Sequence, residues 1–468
     1  MENLDALKKA LDGIKIDDRP ANLEKKSKDF YWYSPILKRQ LTGVIADLVV
    51  VPTSEKEVVQ VIKACFKLDI PVTVRGGGTG NYGQAMPLSG GVVLDMTGMD
   101  KIKEIKPGSI SAEAGANMWK MDQQAKAQTG QEMRLLPSTV RSSTIAGFIA
   151  GGSGGVGGIQ WGGLRDHGNI IRLRVITMEA EPRVLELTGW DLHKVSHAYG
   201  TNGIITEVEM PLTAAYEWID VIVGFDSFKQ AMAYGAELGV QDGLLTKLIC
   251  PMAAPISQNY FPRHEDFVPA GSHVVLVMVA PHAMDAFTSF TEVGGGTILM
   301  RSDMLDPKVA RRLPPLFEFA WNHTTLRALQ VDDSITYLQV LYPYPNAVEL
   351  ADKMDRMFPD ELLSHAEFVR FDGNVTAVGL PMIRFSSEER LEEIMRLHEE
   401  NGCPVFNPHR YTLEEGGMKQ TDEVQLSFKQ EADPKGLLNP GKMVAWDNPD
   451  FDFTSDQIYL FPGLEKSN

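Results

Sequence analysis

The sequence has little cysteine, and its few cysteines are widely separated. Cys65, Cys250 and Cys403 are the three cysteines in 468 residues, and no two of them form a C-x-x-C pair. A disulfide framework needs paired cysteines and a zinc site needs closely spaced ligands, so this pattern predicts neither. We expect three free thiols in a reducing compartment and no bound metal.

An excess of positive charge is also absent. The chain has 45 Lys and Arg against 62 Asp and Glu, and its formal net charge is −17. Binding to nucleic acid through phosphates needs clustered cations, so a nucleic-acid partner is not expected. No apolar run approaches the ~18 residues of a membrane span, and MENLDALKKALDGIKIDD lacks the apolar core of a secretory signal. We therefore expect a cytoplasmic protein.

Glycine is plentiful, with 42 residues, and part of it is concentrated in the first glycine loop, Arg75–Gly83. This loop reads R-G-G-G-T-G-N-Y-G and joins two strand-like apolar segments. Successive N–H groups of such a loop can surround an anion, and glycine lets the backbone approach a phosphate closely. No G-K-[ST] closes the loop, and no helix with an acidic residue about 20 positions on follows it. The pattern predicts an anion-binding loop of a different type.

The second glycine segment, Ala146–Gly163, combines glycine with apolar residues. About half of it is glycine, yet it and its flank carry Ile145, Phe148, Ile149 and Val156. A flexible linker is usually polar, so this composition favours a glycine-lined wall against a large flat ligand.

Helix and strand signals follow the same regions. Val44–Val51 predicts a strand, and roughly Glu55–Leu68 predicts a helix capped by Thr53 or Ser54. Val58, Val61, Ile62 and Cys65 would share the buried face of that helix. Ser334–Tyr342 predicts a strand in a later segment where glycine is sparser.

Six segments, in order, resemble the FAD-binding domain of the vanillyl-alcohol oxidase and p-cresol methylhydroxylase superfamily. They include V-V-V-P-T-S-E-K-E-V from Val49, P-V-T-V-R-G-G-G-T-G from Pro71, T-I-A-G from Thr144, G-T-N-G-I-I-T-E-V from Gly200 and D-P-K-G-L-L-N-P-G-K from Asp433. The resemblance implies an α+β fold with a two-part FAD-binding domain. Residues 1–214 would form its first part, of the p-cresol methylhydroxylase type over about 41–214, and residues 403–468 would complete it. Residues 215–402 would be an inserted α+β substrate cap built from an antiparallel sheet with helices.

The resemblance also implies which residues bind FAD. The pyrophosphate would be held by the first loop, through Arg75, Gly76, Gly77, Gly78, Thr79, Gly80, Asn81 and Gln84. The isoalloxazine ring and the ribityl chain would be lined by Pro137, Ser138, Thr144, Gly147, Gly151, Gly152, Gly154 and Gly155. Gly203 and Ile205 would lie beside the adenine, and Asn439 and Lys442 would close over the flavin. Many relatives link the flavin to a histidine where this chain has Thr79, so we expect non-covalent FAD.

In this family a substrate carbon donates hydride to flavin N5, and the substrate is an alcohol, amine, hydroxy acid or 4-alkylphenol. The catalytic candidates are His409, Arg410, Tyr411, Tyr82 and Ser138. His409 would be a base and Arg410 a carboxylate partner, or His409 would only be a structural hydrogen-bond partner. Phenol oxidases of the family carry an acidic residue at the position of Ser138, so a simple 4-alkylphenol is not expected. F-D-G-N-V, from Phe371, lacks the histidines of the metal-binding H-G-D-G-N-x-H seen in lactate and glycolate dehydrogenases.

The resulting prediction is an FAD-dependent oxidase or dehydrogenase that acts on a CH–OH or benzylic small molecule. Oxygen or another acceptor would reoxidise the flavin, and the chain would form a homodimer. Two alternatives remain open. An NADPH-dependent flavin reductase would show rapid bleaching of the flavin by NADPH, and a non-enzymatic nucleotide-binding module would show no flavin reduction by any donor.

Overall fold

The computed structural model describes residues 2–454 and 457–465, which form two units. Unit 1 consists of Met1–Ser153, Leu164–Ala214 and Asn407–Asn468. Unit 2 consists of Gly154–Gly163 and Ala215–Phe406. The second glycine segment is therefore divided, since its residues from Gly154 onward belong to unit 2.

Residues 2–214 provide most of unit 1, together with one short helix of unit 2. In chain order the elements are α1 (Glu2–Ala10), β1 (Lys15–Asp17), α2 (Pro20–Lys26), α3 (Pro35–Leu41), β2 (Leu48–Val51), α4 (Glu55–Lys67), β3 (Val72–Arg75), β4 (Val92–Asp95), β5 (Ile102–Lys106), β6 (Ser109–Glu113), α5 (Met118–Thr129), β7 (Gln131–Met133), α6 (Ile145–Gly151), α7 (Gly158–Trp161, in unit 2), β8 (Arg172–Ile176), β9 (Val184–Leu187) and β10 (Ile204–Ala214).

Two sheets organise unit 1. The first has the order β1-β2-β4-β3; β2, β4 and β3 run parallel, and β1 is antiparallel at one edge. Its central strands are runs of buried Val and Leu, as is typical of parallel strands covered on both faces. The second sheet is antiparallel in the order β5-β6-β10-β8-β9, and β7 also pairs with β10. The first glycine loop leaves the parallel sheet at the carboxyl end of β3.

The α4 helix shows how local sequence builds this unit. The Ser54 side chain accepts a hydrogen bond from the Glu57 N–H, and the Glu57 carboxylate accepts one from the Thr53 N–H. Side chains of this kind satisfy the backbone donors that a helix start leaves without partners. The buried residues are Val58, Val61, Ile62 and Cys65, which confirms the predicted face.

Residues 215–406 provide the rest of unit 2. The elements are β11 (Ile219–Phe225), α8 (Phe228–Gly239), β12 (Thr246–Met252), α9 (Ile256–Tyr260), β13 (His273–Val279), α10 (Met284–Val293), β14 (Thr297–Arg301), α11 (Pro307–Ala310), α12 (Asn322–Leu329), β15 (Ile335–Tyr337), β16 (Val340–Tyr342), α13 (Ala347–Met357), β17 (Leu362–Leu363), β18 (Ala366–Phe371), β19 (Asn374–Gly379), β20 (Met382–Arg384) and α14 (Glu388–Glu400). They form three antiparallel sheets, with the orders β12-β13-β11-β14, β15-β20-β17 and β16-β19-β18.

The C-terminal part of unit 1 contains α15 (Glu423–Ala432), α16 (Val444–Asp447) and, between them, the C-terminal motif Asp433–Lys442. This motif lies along β3: the Val72 N–H donates to the Leu437 carbonyl, and the Asn439 N–H donates to the Val72 carbonyl. The chain therefore returns to the strand from which the first glycine loop emerges.

The predicted α+β class is confirmed, while two strand predictions need correction. The first strand begins at Leu48 rather than Val44, because the preceding backbone turns away: the Ala46 N–H donates to the Ser27 hydroxyl. The strand predicted over Ser334–Tyr342 is broken into β15 and β16, which belong to different sheets. The Leu338 N–H, at the break, donates to the Pro381 carbonyl. Among the described residues, no helix has both the length and the apolar character of a membrane span.

Candidate functional site

The first glycine loop packs directly against the segment that precedes α6. A Cβ atom added to Gly76 would lie 2.0 Å from the Thr144 hydroxyl oxygen, and one added to Gly77 would lie 2.3 Å from the Ser142 carbonyl oxygen. Real Cβ atoms do not approach other atoms so closely, because the protein interior is already densely packed. Gly76 and Gly77 must therefore be glycine, because their backbone lies in contact with Thr144 and Ser142.

The rest of the loop folds around its own side chains. Gly78 has φ +66°, and the Arg75 guanidinium occupies the space where its Cβ would be. A Cβ on Gly80 would meet the Gln84 amide oxygen at 2.2 Å. The Thr79 hydroxyl lies 3.1 Å from the Ser143 hydroxyl, and Asn81 is buried. The loop is thus held as a defined shape.

Gln84 and Asn439 connect this loop to other segments. The Gln84 amide donates to the Gly151 carbonyl at 2.9 Å, at the end of α6. The Asn439 amide donates to the Gln84 carbonyl at 2.8 Å and to the Tyr199 carbonyl at 2.7 Å. The structure therefore brings the predicted residues Gln84, Gly151 and Asn439 together with the loop.

Of the residues predicted to line the isoalloxazine ring and the ribityl chain, six belong to unit 1 and two to unit 2. Pro137 and Ser138 begin a turn in which the Val140 N–H donates to the Pro137 carbonyl. Thr144 precedes α6, whose Gly147 and Gly151 face Thr144 and Gln84 respectively, while the Gly152 carbonyl bonds His197. The remaining two residues of this set, Gly154 and Gly155, belong to unit 2.

Gly203 and Ile205 pack inside the antiparallel sheet. Gly203 has φ +139°, and a Cβ there would lie 2.5 Å from Val175 Cγ1. Ile205 is directly opposite Val175 in the pairing of β10 with β8. Both residues therefore contact β8, and their place beside the adenine stays a prediction.

The two cations of the predicted cofactor set are engaged by the protein. Arg75 donates through Nη1 to the Lys28 carbonyl at 2.6 Å, and Lys442 donates to the Gly83 carbonyl at 2.6 Å. Burial lowers the pKa of Lys442 and raises that of the nearby Asp29 carboxyl, whereas the attraction between the two charges opposes both shifts. Lys442 therefore fixes the end of the first glycine loop from within.

The catalytic candidates lie at two places. His409 is buried, and its Nδ1 lies 2.7 Å from the Ser34 hydroxyl, which also caps α3. Tyr411 packs beside Gly83, and the Lys442 Nζ lies 4.9 Å from the centre of its ring. Arg410 is partly exposed, whereas Tyr82 and Ser138 are buried. The structure thus places Tyr411 and Tyr82 at the first loop and turns His409 towards the start of α3.

Sequence reasoning missed His197 and Tyr199. Both have left-handed backbones, with φ 47° and 51°, and their N–H groups donate to the Ile149 and Ala150 carbonyls of α6. His197 Nδ1 is 2.8 Å from the Gly152 carbonyl oxygen. Non-glycine residues adopt this conformation rarely, so nothing in S-H-A-Y-G, whose last residue begins the G-T-N-G motif, indicates it.

We expect His197 to make the protein sensitive to acid. Burial lowers its pKa to about 4, against about 6.5 in an unfolded chain. Between these values the unfolded state binds a proton that the folded state does not, so stability falls as the pH drops below 6.5. At pH 5 this difference lowers the free energy of unfolding by about 2 kcal/mol. Chemical denaturation at pH 8 and pH 5 measures how much the free energy of unfolding falls between the two values. For His197→Gln this fall should be smaller than for wild type by about 2 kcal/mol. For His282→Gln, at an exposed position, it should equal that of wild type. Equal losses in wild type and His197→Gln would contradict the assignment.

The site has features that suit a polar, anionic cofactor. Among the described residues, three buried polar atoms around α6 have no hydrogen-bond partner: the Thr144 hydroxyl, His197 Nε2 and the Tyr199 hydroxyl. Buried polar atoms are normally paired, and a cofactor with many donors and acceptors would supply partners. The residues present therefore fit FAD.

Comparison with known proteins gives the same cofactor. A family model for an FAD-binding domain matches residues 46–186. The glycolate oxidase subunit GlcD of Escherichia coli is 27% identical over 429 residues, which cover 85% of this chain and 83% of that protein. Alkyldihydroxyacetonephosphate synthase has a similar structure, with TM-score 0.73 and 17% identity over 94% of this chain and 84% of its own. The structure of 4-ethylphenol oxidase from Gulosibacter chungangensis is also similar, with TM-score 0.64 and 15% identity. The match covers 94% of this chain and 97% of that protein. The chain is an FAD-linked oxidoreductase whose FAD-binding domain is of the p-cresol methylhydroxylase type.

Proposed function

We propose that this protein oxidises the CH–OH group of a small hydroxy acid or alcohol and passes the hydride to FAD. The observation that carries the proposal is the first glycine loop, packed without room for side chains against Ser142 and Thr144. A backbone so constrained can present its N–H groups to a pyrophosphate. The similarity to a glycolate oxidase subunit over most of both chains supports a hydroxy acid as the substrate class.

Unit 1 would hold the cofactor and unit 2 would supply selectivity for the substrate. In unit 1 the first glycine loop would bind the pyrophosphate, and Thr144, Gly147 and Gly151 would line the ring and the ribityl chain. Asn439 and Lys442 would act indirectly, since their amide and ammonium groups bond the carbonyls of Gln84 and Gly83. A cytoplasmic location and a homodimer stay predictions.

When bound, FAD supplies a hydride acceptor for the substrate carbon. The protein must then take the hydroxyl proton and hold the substrate. We propose His409 as the base, on a ring whose Nδ1 lies 2.7 Å from the Ser34 hydroxyl. Arg410, on the same segment, would pair with a substrate carboxylate.

The test of the function is anaerobic reduction of the FAD-bound protein. Glycolate, D-lactate, 4-ethylphenol and NADPH are mixed with it separately, and the visible flavin absorbance is followed. We expect bleaching by at least one of the two hydroxy acids and none by NADPH. Bleaching by NADPH alone would establish the reductase instead, and bleaching by 4-ethylphenol alone would move the substrate class to phenols.

We expect His409→Ala to lower kcat by about 10²- to 10⁴-fold, the usual contribution of a general base. The control is Ser387→Ala, which removes a comparable helix cap, that of α14. It should cost about 1 kcal/mol of stability and leave kcat within a few fold. The pH profile of kcat should lose its lower limb only in His409→Ala. Turnover that is the same in both variants and in wild type would leave His409 with a structural role.

We expect FAD to be released by acid precipitation, because Thr79 stands where many relatives attach the flavin to a histidine. The Thr79 side chain is hydrogen-bonded to Ser143 and offers no nucleophile of that kind. Purified protein is precipitated with trichloroacetic acid, and the absorbance of pellet and supernatant is compared with that of a covalent flavoprotein treated in the same way. Yellow colour that stays in the pellet would show a covalent bond.

A further inference from the structure

A cluster of three side chains in unit 2 takes no part in the proposed chemistry. Cys250 lies on β12, Glu367 lies on β18, and His365 directly precedes β18. Met252 and His365 form a backbone bridge that holds the two strands side by side. The three side chains are 0%, 1% and 1% exposed, so the Cys–His–Glu cluster is completely buried. A buried group of this composition needs a specific reason, because desolvating its polar atoms is costly.

The atoms of the Cys–His–Glu cluster converge on one point. The Cys250 Sγ lies 3.3 Å from His365 Nε2, and Nε2 lies 3.1 Å from a Glu367 carboxylate oxygen. All three atoms are within 4.8 Å of one another. Zinc bonds of about 2.0–2.2 Å to nitrogen or oxygen and about 2.3 Å to sulfur, at tetrahedral angles, separate neighbouring ligands by about 3.4–3.6 Å. The Sγ–Nε2 and Nε2–oxygen distances, 3.3 and 3.1 Å, are within a few tenths of an ångström of this, and the sulfur and the carboxylate oxygen are no more than 4.8 Å apart.

The orientation of the His365 ring leaves Nε2 facing the other two side chains. His365 Nδ1 lies 3.2 Å from the Leu380 carbonyl, which can only accept, so the ring donates from Nδ1. In a neutral imidazole Nε2 then has a free lone pair, which can bind a metal ion. A cation at the convergence point would be bound by this nitrogen together with the Cys250 sulfur and a Glu367 carboxylate oxygen.

The same geometry is unsuitable for a nucleophilic triad. In such a triad the carboxylate bonds Nδ1 of the histidine and the nucleophile bonds Nε2. Here both Cys250 and Glu367 approach Nε2, and a backbone carbonyl occupies Nδ1. The carboxylate therefore does not orient the ring for proton transfer, and the arrangement matches a ligand set better.

We propose that unit 2 binds one Zn²⁺ through Cys250 Sγ, His365 Nε2 and a Glu367 carboxylate oxygen, with a water molecule as the fourth ligand. Thiolate and imidazole ligands favour zinc over magnesium or calcium. The outer contacts agree with a metal site, since His365 donates to the Leu380 carbonyl and Glu367 accepts from the Trp321 N–H at 2.6 Å. The ion would tie β12 to β18 and stabilise unit 2.

This site differs from both expectations drawn from the sequence. The cysteine spacing predicted no metal, because Cys250 and His365 are 115 positions apart in the chain. The F-D-G-N turn, where relatives carry metal-binding histidines, lies at the far end of β18 from His365 and connects it to β19. The cluster is therefore assembled by the pairing of strands and has no linear motif.

The experiment measures zinc in the full-length protein. Protein expressed in zinc-supplemented medium is purified without chelators, freed of any tag, and analysed by plasma mass spectrometry. We expect about one zinc per chain in wild type, less than a tenth of that in Cys250→Ser and His365→Gln, and an unchanged amount in Cys403→Ser. Cys403 is the matched control because it is another buried cysteine of unit 2. Wild type without zinc, or zinc retained by every variant, would overturn the proposal.

Cobalt substitution provides a readout that needs no variant to fold. Wild type is stripped with a chelator and reconstituted with Co²⁺ alone, and the near-ultraviolet spectrum is recorded. A thiolate-to-cobalt charge-transfer band is expected if Cys250 is a ligand. Absence of that band would overturn the site even if cobalt binds. Neither measurement depends on FAD or on a substrate, so their outcome is separate from that of the proposed function.

Discussion

Replacing Lys429 with methionine is expected to lower the free energy of unfolding by about 3–5 kcal/mol, because it leaves a buried carboxylate without its partner. Lys429 and Asp433 are 2% and 0% exposed, and the Lys429 Nζ lies 2.6 Å from the carboxylate. The same ammonium group donates to the Thr201 carbonyl at 2.8 Å. Asp433 in turn accepts from the N–H groups of Leu437 and Leu438. One side chain pair thus shapes the whole C-terminal motif.

Lys435→Met is the matched control for this prediction. Lys435 belongs to the same motif, but its side chain is 39% exposed, and its partner Asp69 is 70% exposed. Exposed pairs contribute about 0–1 kcal/mol, so its loss should be barely measurable. Chemical denaturation followed by fluorescence compares both variants with wild type. Equal losses for Lys429→Met and Lys435→Met would show that the buried pair has no special role in holding the motif.

Replacing Gly77 with valine is expected to weaken FAD binding by about 100-fold or more. The added Cβ would meet the Ser142 carbonyl oxygen at 2.3 Å, and this atom belongs to the backbone. Overpacking of this kind costs about 1–3 kcal/mol or more, and 3 kcal/mol corresponds to roughly 100-fold in Kd. The loop must move away from Ser142, which displaces the N–H groups proposed to bind the pyrophosphate. Titration of the apoprotein with FAD, followed by flavin fluorescence, measures the change.

Two further variants separate this explanation from a general effect of removing glycine. Gly243→Ala should bind FAD like wild type, because a Cβ there meets nothing within 4 Å. Gly76→Ala should weaken binding, since its Cβ would lie 2.0 Å from the Thr144 hydroxyl. The double variant Gly76→Ala with Thr144→Ala removes that oxygen and should recover part of the affinity. FAD binding by Gly77→Val at wild-type strength would refute the role assigned to the loop.

The sequence predicted an element well where residues of the same short segment provide its cap and its buried face. The α4 helix has its cap, its acidic first turn and its buried face within residues 53–67, so the prediction was close to the observed helix. The strand at Val44–Val51 was overextended because three of the four residues at 44–47 are apolar. Their backbone hydrogen bonds go to Ser27 and Gly91, and neither partner is visible from a local pattern.

The structure adds protein partners to the residues that the sequence assigned to the site. Gly76 and Gly77 were identified as backbone that must be approached closely, and the structure shows that part of this approach is made by Ser142 and Thr144. Lys442 and Asn439, which were expected to close over the flavin, donate to the Gly83 and Gln84 carbonyls. The left-handed backbone of His197 and Tyr199 could not be predicted, since tertiary contacts impose it on residue types that do not favour it.

By itself, the sequence determined the glycine positions of the first loop, and through its resemblance to a known family it implied the α+β class and the FAD cofactor. The motifs that carry this resemblance consist of residue types at close spacing, which a linear chain displays directly. Only the tertiary structure decided which partners those residues have: the Ser34 hydroxyl for His409, the Asp433 carboxylate for Lys429, and the meeting of Cys250 with His365 and Glu367. The physical reason is that such contacts are set by strand pairing and by the burial of polar groups. Both join residues that are distant in the chain, and a polar side chain has the same appearance in the sequence whichever partner it finds.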